Sequence, residues 1–307
     1  MTKIAVSVQK SFFAMGTANS VTVYAEEHRG AAELCRRRML ELHEKLSAFD
    51  PASELSRINS AAGREAVAVS PDVFGLVDRC ISYSEQTHGK FDITAGPAAM
   101  LWKRAIRTSA LPSPEELESA SKLVGFGDII LDEANTLVSL RRTEQSIDLG
   151  AVAKGYAADE ARKILADHGV REAIINYGGT VIVMGEAQLV GIRDPFSGSG
   201  EAFAAVDIGD RAVVTSGSYE QCATIDSRMY HHIVDPTTGA PSETTFASVT
   251  LIGAFAEELD AYSTAIFCMS ADEAFAFVRE NGVNAIFILN DRNVFVTEGI
   301  KDVFRFL

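Results

Sequence analysis

The spacing of apolar side chains in the first part of the chain predicts a strand followed by helices. Residues 19–25 alternate β-branched and small side chains, which is typical of a strand, whereas residues 30–47 carry apolar side chains at the spacing of an amphipathic helix. Ser70 before Pro71 marks the start of a further helix over about 71–87. Two more helices, both short, begin at capping-box spacings. These boxes pair Ser113 with Glu116 and Ser270 with Glu273.

Short apolar runs bounded by turn residues predict strands over much of the remaining chain. The predicted strands cover 128–140 as a hairpin, 173–184, 188–193, 203–208, 211–215, 247–252 and 284–297. Strand pairs joined by tight turns outnumber strand–helix–strand units. The pattern therefore predicts an α+β fold of mixed, largely antiparallel sheets with packed helices, in one domain of two intertwined lobes over residues 1–307.

Residues 145–169 are predicted to form a strand that ends at Asp148, a turn at Gly150 and then a helix. A helix N-terminus offers unpaired backbone N–H groups and a positive dipole end to a phosphate, and Lys154 adds charge there. Gly150 and Gly155 would permit close approach of such a ligand. An ordinary strand-to-helix turn, with glycines that serve packing and with Asp148 as a local hydrogen-bonding residue, explains the same spacing equally well.

Asp260 and Thr264 stand four positions apart in the segment 257–267, so a helix there places a carboxylate and a hydroxyl on one face. Hard oxygen ligands of this kind suit Mg²⁺, which takes one or two carboxylates and fills its other positions with water and substrate phosphates. The alternative is a helix start with acidic residues in its first turn, which the helix dipole favours.

Two adjacent histidines lie in the segment 229–241, where a predicted strand enters a turn. Alternation along a strand places one of His231 and His232 inward and the other outward, without deciding which. An inward histidine is more often structural than catalytic. His232 has the chemistry of a general base or of a phosphate contact near neutral pH.

Several glycine-bearing polar turns separate the apolar strands, and turns of this kind often gather around one ligand. They lie at 13–17, 91–97, 176–180 and 214–221.

With 47% hydrophobic and 23% charged residues, the chain has the composition of a folded protein. Its charge limits the classes of partner that it can bind. Its formal net charge of −14 repels phosphate backbones and anionic membranes, so we expect no nucleic-acid partner. An anionic substrate would need a divalent cation or helix dipoles to hold it. The four cysteines lie far apart in the sequence without metal-ligand spacing, and they are expected to be buried small hydrophobic residues.

The chain shows no sign of a membrane segment, because no uninterrupted apolar stretch reaches about 18 residues. The apolar run at residues 4–8 is too short for the core of a signal peptide, and no lipid-accepting cysteine follows it. A cytoplasmic location is therefore expected.

Taken in order, the motifs resemble those of the FAD:protein FMN transferases, the ApbE family, over nearly the whole chain. The matching pieces are MGT at 15–17, LSAFDPASELSRIN at 46–59, GKFDITAGPAAMLW at 89–102, IDLGAVAKGYAAD at 147–159, INYGGTVIVMG at 175–185, VTSGSYEQ at 214–221, HIVDPTTGAP at 232–241 and DAYSTA at 260–265. The resemblance implies the ApbE-like fold. It also implies binding of FAD and Mg²⁺ and transfer of the FMN half to a Thr or Ser hydroxyl of an acceptor flavoprotein, with release of AMP.

Carried over residue by residue, the resemblance implies a metal site at Asp260, Thr264 and the backbone carbonyl of Ala151. The implied FAD contacts are Met15, Phe49, Lys90, Phe91, Asp92, Asp148, Lys154 and Val234. His232 matches a motif histidine and is expected to act in catalysis or in positioning the phosphate, with Asp148 or a metal-bound group as the competing base.

Two alternatives to the transferase remain open from the sequence. Some members of the family hydrolyse FAD to FMN and AMP, so this chain could be an FAD pyrophosphatase. A catalytically silent FAD-binding protein is the other alternative, because the chain departs from the common motifs at Thr180, Ser218 and Ser263. Phe49 stands where a tyrosine is frequent, which keeps the ring and removes a hydroxyl.

Overall fold

A computed structural model gives the fold and describes residues 7–198, 200–219 and 221–307. The α-helices are α1 Arg29–Leu46, α2 Glu54–Ser60, α3 Pro71–Gln86, α4 Gly96–Thr108, α5 Pro114–Ser121, α6 Ala153–Asp167, α7 Ala256–Phe267 and α8 Ala271–Glu280. Residues 4–6 of the short apolar run and Glu220 of the turn at 214–221 lie outside the described residues.

The strands are mostly short and follow one another closely along the chain. They are β1 Val8–Ala14, β2 Thr17–Val23, β3 Val67–Ala68, β4 Ile129–Asp132, β5 Leu137–Leu140, β6 Ala173–Tyr177, β7 Thr180–Met184, β8 Gln188–Arg193, β9 Ala202–Ile208, β10 Arg211–Gly217, β11 Cys222–Ile225, β12 Arg228–His231, β13 Phe246–Gly253, β14 Asn284–Leu289, β15 Val294–Val296 and β16 Phe304–Phe306. Every strand pair among them is antiparallel. The predicted α+β class, with largely antiparallel sheets, is confirmed.

An eight-stranded sheet in the order β1-β2-β6-β7-β10-β13-β14-β15 forms the middle layer of the molecule. Helices α1, α6 and α7 pack on one face of it, and the three-stranded sheet β16-β9-β8 covers part of the other. The alternation of side chains along β10 shows why both faces of the eight-stranded sheet are apolar. Val214 belongs to the core under the helices, whereas Val213 belongs to the core between the two sheets.

Most helices form where periodicity and caps place them, but α2 and α4 have no counterpart in the prediction. In α1 the apolar stripe is buried, including Cys35, Met39 and Leu42. Both predicted capping boxes are present, at the starts of the short helices α5 and α8. Within the described residues no helix is long and apolar enough to cross a bilayer.

A smaller apolar cluster joins α4 and α5 to the hairpin β11–β12. Trp102 on α4 stacks on Tyr230 of β12, with ring centroids 5.3 Å apart. The Trp102 indole N–H also donates to the Gly239 carbonyl at 2.9 Å. These contacts hold the chain that follows the hairpin against α4.

The prediction of a strand ending at Asp148 is wrong, since residues 145–149 form an irregular segment. Its backbone is held by a side chain: Asn59 on α2 accepts the Ile147 N–H at 2.8 Å and donates to the Ile147 carbonyl at 3.0 Å. The Asp148 N–H donates to the Ile93 carbonyl at 2.8 Å. The segment is therefore extended without belonging to any sheet.

Two predicted strands are hairpins, and the strands β1, β3, β11 and β16 have no counterpart in the prediction. Residues 173–184 fold back at Gly178 and Gly179, and 284–297 divide into β14 and β15. Strand β1 was not predicted because polar residues interrupt its apolar positions.

Candidate active site

A cleft with a cavity volume of about 470 Å³ lies where the turns of the large sheet meet α4, α6 and α7. A volume of this size suits a small molecule or cofactor. All four glycine-bearing turns singled out in the sequence contribute residues to its lining. The expectation that these turns surround one site is confirmed by this shared cavity.

Two of the turns lie against each other at one wall of the cleft. Met15 and Gly16, with φ angles of 49° and 74°, make the tight turn between β1 and β2. Gly178, with φ of 59°, makes the turn between β6 and β7. A Cβ at Gly178 would lie 2.6 Å from the Thr17 side chain, so only glycine allows the two turns to approach this closely.

Two N–H groups at the start of α6 already have partners and are not offered to a ligand as the sequence suggested, since the Ala153 N–H donates to the Leu149 carbonyl at 2.9 Å. The Gly155 N–H donates to Asp260 Oδ2 at 2.9 Å, so a carboxylate from α7 already caps this helix. A Cβ at Gly155 would lie 2.3 Å from the Ala256 carbonyl oxygen. Gly155 therefore serves helix packing and is not a point of ligand approach.

Asp260 and Thr264 occupy successive turns of α7 and both line the cleft, as the four-residue spacing predicted. Burial raises the pKa of the Asp260 carboxyl, against the opposing charge of Lys154 and the Gly155 hydrogen bond. Asp260 Oδ1 lies 3.9 Å from Lys154 Nζ, which is beyond hydrogen-bond distance. Within the described ranges no cluster of three or more His, Cys, Asp or Glu side chains is placed to hold a metal ion.

Asp148 meets a partner that the sequence analysis did not single out. Lys103 on α4 donates to Asp148 Oδ2 at 2.5 Å, and the Gly150 N–H donates to Oδ1 at 2.7 Å. Burial alone would raise the pKa of Asp148, but Lys103, Gly150 and the nearby His232 hold it below its usual range. The spacing of Lys103 in the sequence could have identified it as a site residue. It lies seven residues, or about two helical turns, after Gly96 and therefore shares that face of α4.

The two histidines divide as alternation requires. His231 is buried, with Nε2 3.0 Å from the Ser242 carbonyl and its ring edge-on to Phe267, so it is structural. His232 lies just beyond β12 and lines the cleft. The Gln221 carbonyl oxygen lies 3.3 Å from His232 Nδ1.

The hydrogen bonding of His232 fixes which nitrogen is available for chemistry. A carbonyl only accepts, so Nδ1 carries the proton and Nε2 keeps its lone pair. Burial lowers the pKa of His232 to about 4, and His231, Lys103 and Lys154 lower it in the same direction by charge. The imidazole is therefore neutral at pH 7.

The remaining predicted FAD contacts differ in their burial and in the partners that their side chains already have. Lys90 Nζ lies 3.3 Å from Asp235, Phe91 is buried, and Phe49 is exposed at the mouth of the cleft. Asp92 accepts hydrogen bonds from the Thr94 backbone at 2.8 Å and from the Phe126 N–H at 3.0 Å. These hydrogen bonds give Asp92 a structural role in the loop that is independent of any contact with a ligand.

The structure brings every predicted site residue to this one cleft. The lining includes Met15, Phe49, Lys90, Phe91, Asp92, Asp148, Ala151, Lys154, His232, Val234, Asp260 and Thr264. Besides Lys103, residues that the site prediction omitted are His43 on α1 and, on β10, Thr215 and Ser216. The turn motif at 214–221 pointed to the last two without naming them.

Comparisons with known proteins identify the family. The model of the ApbE family matches residues 15–287. The FAD:protein FMN transferase of Treponema pallidum is 32% identical over 318 residues, covering 95% of this chain and 87% of the relative. That of Klebsiella pneumoniae is 30% identical over 285 residues, covering 92% of this chain and 89% of the relative.

Solved structures give the same answer for the fold. The ApbE protein of Thermotoga maritima matches with a TM-score of 0.89 and 31% identity, covering 98% of this chain and 100% of that one. The flavin transferase ApbE of Vibrio cholerae matches with a TM-score of 0.85 and 26% identity, covering 97% and 99%. The fold is thus that of a flavin transferase enzyme. The chain belongs to the ApbE family.

Proposed function

We propose that this chain is a Mg²⁺-dependent FAD:protein FMN transferase that attaches FMN through a phosphoester to a Thr or Ser hydroxyl of an acceptor flavoprotein and releases AMP. The observation that carries the proposal is the convergence of every predicted site residue on one cleft. The names of the related proteins support FAD as the substrate and a protein as the acceptor.

The cleft offers lysines to an anionic dinucleotide in spite of the net charge of −14, and it also holds the carboxylates of Asp92, Asp148 and Asp260. Lys90, Lys103 and Lys154 line the cavity from three different elements. Of these, Lys103 and Lys154 face Asp148 and Asp260, so each cation is held near a carboxylate. A pyrophosphate entering between them gains cationic neighbours whose positions are already fixed.

His232 is the proposed general base. The acceptor hydroxyl oxygen bonds to the phosphorus of the FMN half, the bond from that phosphorus to the bridging oxygen breaks, and AMP leaves with that oxygen. His232 takes the hydroxyl proton at Nε2, while the Gln221 carbonyl keeps the ring oriented through Nδ1. Asp148 suits this role less, because Lys103 and Gly150 already occupy its carboxylate oxygens and hold its pKa low.

The donor set fits a magnesium ion. Asp260 lines the cleft with its Oδ1 3.9 Å from Lys154 Nζ, and Thr264 lines it from the next turn of α7. With the Ala151 carbonyl these are hard oxygen donors, and substrate phosphates and water would complete the coordination. When bound, Mg²⁺ neutralises charge on the phosphates during transfer.

The proposal is tested by incubating the purified protein with FAD and Mg²⁺, with and without an acceptor domain that presents a threonine. AMP release is measured by chromatography, and covalent flavin by fluorescence on a denaturing gel. We expect AMP together with a fluorescent acceptor, and loss of that fluorescence when the acceptor threonine is replaced by valine. AMP with free FMN would instead establish the pyrophosphatase, and bound FAD without AMP the silent FAD-binding protein.

A further inference from the structure

Helices α6 and α7 cap each other. Asp260 on α7 accepts the Gly155 N–H of α6 at 2.9 Å, and Asp159 on α6 accepts the Glu257 N–H of α7 at 2.9 Å. Neither helix has a side-chain cap from its own N-cap residue. Each carboxylate also lies at the positive end of the other helix's dipole, which favours its charge there.

The two hydrogen bonds fix the crossing of the helices at two separated points. They lie about 6 Å apart along α6 and about 4.5 Å apart along α7, at 1.5 Å per residue. One bond alone would leave α7 free to pivot about it, whereas two prevent rotation. Gly155 also packs directly on the Ala256 carbonyl, so the helices have no room to come closer at this point.

The first turn of α7 is also fixed on its other side. Arg79 on α3 donates to Glu257 through Nε at 2.6 Å and Nη2 at 2.9 Å, and Tyr83 donates to it at 3.2 Å. Asp159 is itself held by Arg162 at 2.7 Å. Asp159 lies outside the cavity lining, so it has no direct access to a ligand there.

We propose that Asp159 is a positioning residue for Asp260: by capping α7 at Glu257 it fixes the crossing that aims the Asp260 carboxylate into the cleft. The consequence for Mg²⁺ and FAD rests on the proposed function. The consequence for the geometry of Asp260 does not, because the Gly155 amide reports on it in the protein without ligand.

The test compares Asp159→Ala, Asp159→Asn and Ser270→Ala with the wild type. Ser270→Ala is the matched control, because it removes the side-chain cap of α8 and Ser270 does not line the cleft. The first measurement is amide hydrogen exchange at Gly155 in the ligand-free protein. We expect exchange there to speed up about tenfold or more in Asp159→Ala, and to stay near the wild type in Ser270→Ala. Asp159→Asn keeps an oxygen for the Glu257 N–H and should behave as the wild type.

The second measurement is the Mg²⁺ concentration that gives half-maximal FAD binding, followed by flavin fluorescence. Loss of an outer-shell partner typically weakens metal binding about 10- to 100-fold, and we expect a rise in this range for Asp159→Ala with recovery in Asp159→Asn. Unchanged protection of Gly155 in Asp159→Ala, or an equal change in Ser270→Ala, would overturn the positioning role. A wild type that binds no FAD would overturn the proposed function, while the exchange data still decide the role of Asp159.

Discussion

The pKa values of two carboxylates in the same cleft, Asp260 and Asp148, are shifted in opposite directions. Burial dominates at Asp260 and raises its pKa, because its cationic neighbour Lys154 lies 3.9 Å away. At Asp148 burial also acts to raise the pKa, but Lys103 at 2.5 Å outweighs it and the pKa falls. Asp148 is therefore already compensated, whereas Asp260 gains more from an added cation.

Replacing Asp260 with asparagine separates its charge from its role as a cap. The amide oxygen still accepts the Gly155 N–H, so we expect the melting temperature to stay near that of the wild type. Loss of the charged oxygen should lower Mg²⁺-dependent turnover at least about a hundredfold, which corresponds to about 3 kcal/mol of transition-state stabilisation. Asp260→Ala should in addition lower stability, since it leaves the buried Gly155 N–H without an acceptor. Wild-type turnover of Asp260→Asn, measured as AMP release, would contradict the metal assignment.

His232→Ala should slow turnover far more than it weakens FAD binding. A general base contributes about 10²–10⁴ in rate, and we expect kcat to fall within that range while the Kd for FAD changes less than about threefold. Steady-state kinetics and fluorescence titration give the two quantities. His168→Ala, at an exposed histidine beyond the end of α6, is the control and should change neither. Equal losses in rate and affinity would make His232 a binding residue.

The lowered pKa of His232 predicts that the free energy of unfolding depends on pH. Its pKa is about 4 when folded, below the ordinary 6.5, so the unfolded chain binds its proton first as the pH falls. Its contribution to stability is fully present above pH 6.5 and is lost progressively down to about pH 4. Between about pH 7.5 and pH 5 we expect the wild type to lose about 1–2 kcal/mol more free energy of unfolding than His232→Gln. Urea denaturation at the two pH values measures it, and parallel losses would show that His232 is not desolvated.

At the scale of elements, the sequence was informative wherever a local signal sufficed. Helix α1 and the two capping boxes depend on residues three or four positions apart, and they were predicted correctly. The irregular segment at 145–149 was misread as a strand because its partner is Asn59, 88 positions away in the sequence. Lys103 was missed for the same reason, since it meets Asp148 across 45 positions.

Local patterns singled out the segments of Asp148, His232 and Asp260 separately, and the resemblance to a family assigned them to one site. No local periodicity would have brought them together. Their meeting in one cleft depends on the crossing of α6 with α7 and on the packing of α4 against the chain after β12. Physical contacts of this kind leave no regular spacing in a single sequence.

The role of Asn59 gives a prediction at this scale. Asn59→Ala removes both hydrogen bonds to the Ile147 backbone, and buried groups left unpaired cost about 1–3 kcal/mol. We expect the free energy of unfolding to fall by that amount and FAD binding to weaken, because the following residues line the cleft. Asn135→Ala, in the exposed turn between β4 and β5, should change stability by less than about 0.5 kcal/mol. Urea denaturation that finds the two variants alike would contradict this account of the segment.

For the whole molecule, charge is divided between surface and cleft. The net charge of the whole chain is −14, whereas the cleft is lined by three lysines and three aspartates, whose formal charges cancel. Such a division allows an acidic protein to bind an anion locally while it repels polyanions at long range. That all 307 residues form a single domain of two intertwined lobes stays a prediction.

The cleft is lined by the large sheet, by α4, α6 and α7 and by the chain after β12, so a ligand that fills it contacts several parts of the fold at once. FAD with Mg²⁺ should therefore stabilise the protein as a unit, by about 2.7 kcal/mol at a free concentration of a hundred times Kd. Urea denaturation with and without the ligands measures this. A dinucleotide without a flavin ring, added with Mg²⁺ at the same concentration, is the control and should give a smaller increase. If FAD and Mg²⁺ leave the unfolding curve unchanged, the cleft does not bind the substrate that its residues were argued to hold.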